Sequence, residues 1–308
     1  MIYTCTLNPS VDYIIHVEQF SQGGLNRGTD TAYYPGGKGI NVSRVLQQLG
    51  QQNTALGFLG GFTGVFIKQE LDKAHITHDF IETDGPTRVN MKLKSEEETE
   101  INGPGPAISE EQEQKLFQKI ANLNKGDYLV AAGSVPSTVS SDFYVKAAEI
   151  CRKNQVNMIA DTSSNALKKI VGQEVFLVKP NHHELGELFD TTITTVEDAV
   201  YYGRKLHEQG AKHVIISMGG QGAVYVSGDM YLQANVPAGE VRNTVGSGDS
   251  MVAGFLASIS AGSKPEKAFQ TAVAAGSATA FQDDLCERAD VDSLLPHVTV
   301  HSLDKGRF

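Results

Sequence analysis

The sequence predicts an α/β protein: a mostly parallel central sheet covered by helices on both faces, with a small separate β-sheet beside it. Three observations carry this. Apolar runs of strand length alternate with helical patterns along most of the 308 residues, and repeated β-α alternation builds parallel sheets. Two stretches, 12–34 and 87–103, break the alternation with strand-like patterns of their own. No segment approaches about 18 consecutive apolar residues, so no membrane span is expected.

The elements follow in chain order. IYTCTL at 2–7 reads as a buried strand. DYIIHVEQFSQGGLNRGTDTAYY, from Asp12, reads as antiparallel strands. INVSRVLQQLG is a helix, because Val42, Val45, Leu46 and Leu49 share a face and Gly50 ends it. TALGFLG is the next strand. In TRVNMKLKSEEETEING, Val89, Met91 and Leu93 alternate with Asn90, Lys92 and Lys94, and the acidic SEEE makes a hairpin tip. One buried and one wet face mark an antiparallel sheet, whose apolar face needs either the main domain or a second subunit against it. Ser109 with Gln112 three residues on is a capping box opening a helix. YLVAAGS (128–134), NMIAD (157–161), VFLVKPN (175–181) and HVIISMGG (213–220) are strands at helix-sized intervals.

The composition is that of a globular protein, with 40% hydrophobic and 20% charged residues. A net charge of −10 argues against a general nucleic-acid binder and requires a local basic cluster for any anionic substrate. Cys5, Cys151 and Cys286 are odd in number and far apart, which suits a reducing cytoplasm better than a disulfide scaffold. The N-terminal segment lacks the pattern of a signal peptide.

The chemistry concentrates in glycine-rich turns. NTVGSGDSMVAGF (243–255) places Gly246 and Gly248 before a helix carrying Met251, Val252, Phe255, Leu256 and Ile259 on one face. The free N–H groups of a helix start attract anions, yet Asp249 stands beside them. The same spacing also describes an ordinary cap and turn. YYPGGKGINVSRV (33–45) is a second glycine turn into a helix, where backbone N–H groups, Lys38 and Asn41 can face a polar ligand. It lacks the spacing of a P-loop and the Ser or Thr after the lysine. ISMGGQGAVYV (216–226) is a strand, a glycine bend and a strand, without the dinucleotide fingerprint. KPNHHEL (179–185) is not HExxH, so a zinc protease is unsupported.

Taken together and in this order, LNPSVD (7–12), GGKGINVSRVL (36–46), GSVP (133–136), KPNHHEL (179–185), SMGGQG (217–222) and TVGSGDSMVAGF (244–255) resemble the ribokinase/PfkB carbohydrate kinase family across essentially the whole chain. Ser247 stands where the family usually has alanine, and serine is small enough for the same turn. The resemblance implies a ribokinase-like three-layer αβα domain (1–11, 36–86 and 103–308) with a β-lid (12–35 and 87–102), often paired into a homodimer through the lids. It implies ATP and Mg²⁺ as cofactors and a small sugar phosphate as substrate, with neither nucleic acid nor membrane as partner. By resemblance, Asp249 is the catalytic base, and the N–H groups of Gly246, Ser247 and Gly248 form the anion hole. Asp12, Gly36, Gly37, Asn41 and Ser134 line the sugar site, and Lys38, Arg27 and Arg88 supply positive charge to the acceptor's phosphate. Ser217, Gly219 and Gly222 match the adenine-side loop, Lys179 and Asn181 lie near the nucleotide phosphates, and Glu184 assists the metal through water. Within the family, LNPSVDYI, GLNRG and TRVNMKLKSEEETEINGPGP most resemble the branch that phosphorylates fructose 1-phosphate at C6. Kinases of tagatose 6-phosphate and then of fructose 6-phosphate are the alternatives. From a different class, the alternative is a sugar-phosphate-binding regulator that has lost catalysis.

Overall fold

The computed structural model describes residues 1–162 and 164–304. The chain begins β1 (Ile2–Thr6), β2 (Ser10–His16), β3 (Asp30–Gly36), α1 (Lys38–Gln48), β4 (Asn53–Gly60), α2 (Gly61–Lys73), β5 (Thr77–His78), β6 (Ile81–Thr83), β7 (Arg88–Lys94) and β8 (Glu98–Asn102). It continues α3 (Glu110–Ala121), β9 (Tyr128–Ala132), α4 (Phe143–Asn154), β10 (Asn157–Asp161), α5 (Ser164–Ile170), β11 (Val175–Val178), α6 (His182–Phe189) and α7 (Val196–Glu208). The last part is β12 (Ala211–Ser217), β13 (Ala223–Ser227), β14 (Met230–Ala234), α8 (Ser247–Ser260), α9 (Pro265–Ala280), α10 (Arg288–Leu294) and β15 (Val300–Ser302).

The central sheet runs β15-β14-β13-β12-β11-β10-β9-β1-β4-β5, with β6 also on β4. It is parallel from β12 through β5 and antiparallel from β12 to β15. Both faces are covered, because successive strand residues point to opposite sides. Leu129, Ala131, Met158 and Ala160 enter one core with Phe117 of α3, Ala147 of α4 and Val200 of α7. Val130, Ala132 and Ile159 enter the other with Val45 of α1, Phe255 of α8 and Phe269 of α9. The result is the expected three-layer αβα arrangement.

Helix α8 is buried all round from Asp249 to Ala257, so it is a core helix rather than an amphipathic surface one. Its Gly254 lets α9 come close: a Cβ there would lie 2.7 Å from the Thr271 carbonyl oxygen. The capping box of α3 is present. Ser109 Oγ accepts from the Gln112 N–H at 3.2 Å, and Gln112 Oε1 accepts from the Ser109 N–H at 2.8 Å.

The small sheet has the order β3-β2-β7-β8. Each hairpin, β2–β3 and β7–β8, is antiparallel as expected, but β2 and β7 join in parallel. The reason is topological. Residues 37–87 return through the central domain before β7, and parallel strands need such a crossover. The two faces also differ from the simple wet-and-buried picture. Asn90 and Lys92 are buried beneath the polar face, whereas Val89 and Ile101 on the apolar face are exposed.

Candidate active site

Strands β1, β9, β10, β11 and β12 all run the same way, so their C-terminal ends share one rim of the sheet. Ligand crevices in open parallel sheets form at that rim. The chain there supplies Asn8, Ser134, Asp161, Lys179, Asn181 and Ser217, which line a cavity of about 890 Å³. The first turns of α1 and α8 and the polar face of the small sheet close its sides.

The turn into α8 needs its glycines. Gly246 has φ 80°, and a Cβ there would sit 2.5 Å from the Leu285 side chain. The Ser247 N–H turns back to the Thr244 carbonyl at 3.3 Å. Among the described residues the N–H groups of Gly246, Gly248 and Asp249 have no such partner, which leaves those of Gly246 and Gly248 free for an anion. Asp249 is buried and accepts a 2.8 Å hydrogen bond from Asn41 Nδ2 of α1. Burial, and then the nearby Asp161 charge, push its carboxyl up to about 6, against the pull of Lys38, Asn41 and Lys179. A buried carboxylate held near neutrality is suited to accept a proton.

Two lysines and an aspartate stand beside it. Lys38 Nζ lies 3.1 Å from Asp161 Oδ1, and Lys179 Nζ lies 3.5 Å from Asp161 Oδ2. Burial opposes ionisation of Asp161, but Lys179 and Lys38 outweigh it and hold the carboxyl below its ordinary range. The Asp161 charge in turn raises Lys38, although burial opposes this. A Cβ built on Gly248 would be 2.8 Å from Lys179 Nζ, which puts that ammonium against the first turn of α8. Lys38 is thus placed with Asp161 at the α8 end of the cavity, rather than with Arg88. Sequence reasoning missed Asp161, whose only signal was an acidic residue closing an apolar strand.

At the other end stands Asp12. Its Oδ1 accepts from Ser10 Oγ at 2.7 Å and from Asn90 Nδ2 at 3.2 Å. Gly36 makes room for it, since a Cβ there would come 2.6 Å from the Asp12 carboxylate. Gly37 has φ 111°, the left-handed range that glycine tolerates. Arg88 donates to the Asn8 carbonyl at 3.1 Å, and Asn8 donates to Ser134 Oγ at 3.4 Å. Two of the expected residues do not line the cavity: Gly36, which packs against the Asp12 carboxylate, and Arg27. Arg27 is exposed in the connection between β2 and β3.

The remaining end combines glycines with apolar side chains. Ser217, Gly219 and Gly222 line it, and so do Val236, Val241, Val273, Ala280 and Phe281. The last five were not foreseen, because they come from a loop, from α9 and from the residue that caps its C-terminus, with no motif of their own. Asn181 and Glu184 form a capping box at α6: Glu184 N–H donates to Asn181 Oδ1 at 2.8 Å and Asn181 N–H to Glu184 Oε2 at 2.9 Å. Both also line the cavity. Among the described residues no group of three His, Cys, Asp or Glu is placed to hold a metal ion. A Mg²⁺ carried in on phosphates fits this donor set, because that ion keeps several waters and needs only one or two carboxylates.

Comparison with known proteins identifies the family. The family described as pfkB family carbohydrate kinase matches residues 6–289. A 1-phosphofructokinase of Bacillus subtilis is 52% identical over 303 residues, 98% of this chain and 100% of the relative. A D-tagatose-1-phosphate kinase of Bacillus licheniformis is 38% identical, covering 98% of this chain and 100% of the relative. The solved structure of phosphofructokinase-2 from Escherichia coli, in complex with substrates and products, superposes with a TM-score of 0.92. It is 31% identical and covers 96% of this chain and 98% of that one. The chain belongs to the pfkB family of carbohydrate kinases and has the fold of a sugar kinase.

Proposed function

We propose that the protein transfers the γ-phosphoryl group of ATP to the C6 hydroxyl of fructose 1-phosphate, giving fructose 1,6-bisphosphate. The observation that carries this reading is the buried Asp249 carboxylate at the open first turn of α8, in one cavity with Asp12. The Bacillus subtilis relative supplies the substrate class. The Bacillus licheniformis relative is named for a ketohexose that also carries its phosphate on C1. Tagatose differs from fructose at C4, and with this relative the tagatose alternative takes in the 1-phosphate beside the 6-phosphate.

In this reading Asp12 accepts hydrogen bonds from sugar hydroxyls, with Gly36 and Gly37 leaving room and Ser134 at the pocket wall. Asn41 orients Asp249, which takes the C6 hydroxyl proton as the oxygen attacks phosphorus. The free N–H groups of Gly246 and Gly248 face the negative charge on the transferring group, with Ser247 between them shaping the turn. Lys179 and Lys38 add positive charge at the same end, which moves Lys38 from the acceptor's phosphate to the transferring phosphoryl group. The Ser217–Gly222 loop and the apolar side chains beyond it receive the nucleoside, and Asn181 flanks its phosphates. Glu184, which lines the cavity, would be a carboxylate available to the waters of a Mg²⁺ ion, and that ion would supply charge neutralisation for the phosphate oxygens. An inactive regulator has no need of the intact base and turn. A cytoplasmic enzyme is consistent with three free, buried cysteines.

The test is ADP formation from Mg-ATP with fructose 1-phosphate, tagatose 1-phosphate, tagatose 6-phosphate and fructose 6-phosphate. A kcat/KM at least tenfold higher for fructose 1-phosphate is expected. A higher value with either tagatose phosphate moves the substrate and keeps the mechanism. No turnover with any of the four overturns the reading.

The homodimer belongs to the same proposal. Tyr33 (56% exposed) and Ile101 (59% exposed) lie on the apolar face of the small sheet, and Tyr13 stacks on Tyr33 with ring centroids 4.8 Å apart. A second copy of that face is a suitable cover. Sedimentation is expected to show a dimer for the native chain and a monomer for Tyr33→Glu. A dimer that survives this change places the interface elsewhere.

A further inference from the structure

We infer that Lys92, together with Arg88, forms the subsite for the phosphate already carried by the sugar, and that Lys92 sets the preference for a phosphorylated acceptor. The inference rests on the sugar-phosphate kinase reading above and names a residue for its specificity.

The argument starts from the pleat of β7. Alternate residues of a strand share a face, so Arg88, Asn90 and Lys92 form one row. Register sets that row beside β2: Arg88 faces Ser10, Asn90 faces Asp12 and Lys92 faces Ile14. All three line the cavity that holds Asp12. Asp12 therefore stands between two cations, one on each side along the strand direction.

Each member of the row has unused hydrogen-bonding capacity. Arg88 Nε and Asn90 Oδ1 are buried without a hydrogen-bond partner. Lys92 is only 8% exposed. Its nearest opposite charge is Glu100 Oε1 at 3.9 Å, too far for a hydrogen bond. Among the described residues its ammonium makes none. A buried ammonium with three unspent donors is costly unless a ligand supplies acceptors. Glu100, directly across on β8, also lines the cavity but is exposed, so solvent screens its charge and it competes only weakly for Lys92.

The chemistry of the row selects its ligand. Asp12 and Asn90 Oδ1 accept hydrogen bonds, which suits sugar hydroxyls. Arg88 and Lys92 only donate and are cationic, which suits a phosphate dianion. The other cations of the cavity are committed elsewhere, since Lys38 and Lys179 both pair with Asp161. Arg27 does not line the cavity. Among the described residues that line the cavity, Lys92 is the remaining lysine or arginine on the Asp12 side that can complete a phosphate site with Arg88.

The experiment compares Lys92→Met, Lys92→Arg and Glu100→Gln with the native enzyme, using the four ketohexose phosphates and unphosphorylated fructose. Melting curves and the KM for ATP report that each variant is folded with its nucleotide site intact. Lys92→Met is expected to raise the KM for the preferred sugar phosphate by roughly 10- to 100-fold, the effect of one charge-assisted contact. Its kcat should stay within a few-fold, and its activity on plain fructose should not change. Lys92→Arg should recover part of the loss. Glu100→Gln separates binding from architecture. It should leave the sugar-phosphate KM unchanged or lower, whereas a Lys92 that serves only its ion pair would make Glu100→Gln mimic Lys92→Met. A native KM in Lys92→Met overturns the inference. If the native enzyme prefers another of the four, the fructose 1-phosphate reading fails while Lys92 is still decided by its effect on that sugar's KM. If the native enzyme turns over none of them, both fall together.

Discussion

Replacing Asp249 with asparagine is expected to lower kcat by about 10²–10⁴-fold, the range of a general base, while leaving both ligands bound. The substitution keeps shape and one acceptor oxygen, so the Asn41 contact of 2.8 Å persists and the first turn of α8 is unchanged. KM values for ATP and sugar phosphate should move only a few-fold. The native enzyme should also show an acid limb. The proton acceptor must be ionised, and its carboxyl titrates at about 6 because burial, and then Asp161, disfavour the charged form. The profile of kcat/KM against pH therefore falls below about 6, well above the 3.8 of an ordinary aspartate. In Asp249→Asn that limb should vanish from the residual rate. A variant that turns over at the native rate would remove Asp249 from the chemistry, and with it the proposed mechanism.

Some of this site was legible in the sequence and some was not, for physical reasons. A glycine turn beside a helix start leaves a local trace that singles out Gly246, Gly248 and Asp249, but the same spacing describes an ordinary cap, and only the resemblance to the family gives them roles. Asp12 and Gly36 could be carried by motif, and their contact explains the pairing: the glycine has no side chain because the carboxylate occupies that space. Asp161 left no such trace. Its partner Lys38 is 123 residues away, and only the parallel packing of β1, β9, β10 and β11 makes them neighbours. Lys38 itself shows the limit of a motif, which gives a charge without the direction of its reach. The alternation of β7 gave two faces, but not which of them looks into the cavity. That is decided by the parallel pairing of β2 with β7, a consequence of the long crossover between them. Arg27 lies in an irregular connection where no periodicity constrains placement.

The charge of Asp161 should be felt in the proton chemistry of Asp249, and Asp161→Asn tests this. The change leaves the shape of the side chain and removes the counter-charge of two lysines. Lys179 is buried, so it becomes a desolvated ammonium beside a neutral amide. Losing one partner of such a group costs on the order of 3 kcal/mol when fully buried; the half-exposed Lys38 contributes less, because solvent screens it. A lowered melting temperature is therefore expected, but stability alone does not separate a structural aspartate from one that tunes the site. The pH profile does. The groups facing Asp249 are Asp161 from β10, Lys38 and Asn41 from α1, and Lys179 after β11. Among these only Asp161 pushes the Asp249 carboxyl upward, while the two lysines and Asn41 pull it down. Removing Asp161 leaves the lowering influences unopposed except by burial, so the acid limb should move below about 6 toward the ordinary aspartate range. A base that ionises more readily is also a weaker proton acceptor. With Lys38 and Lys179 no longer held together over α8, kcat should fall by roughly 10- to 100-fold, the loss of oriented charge at the transferring group. A limb that stays at its native position, or moves up, would show that Asp161 holds the lysines without setting the base.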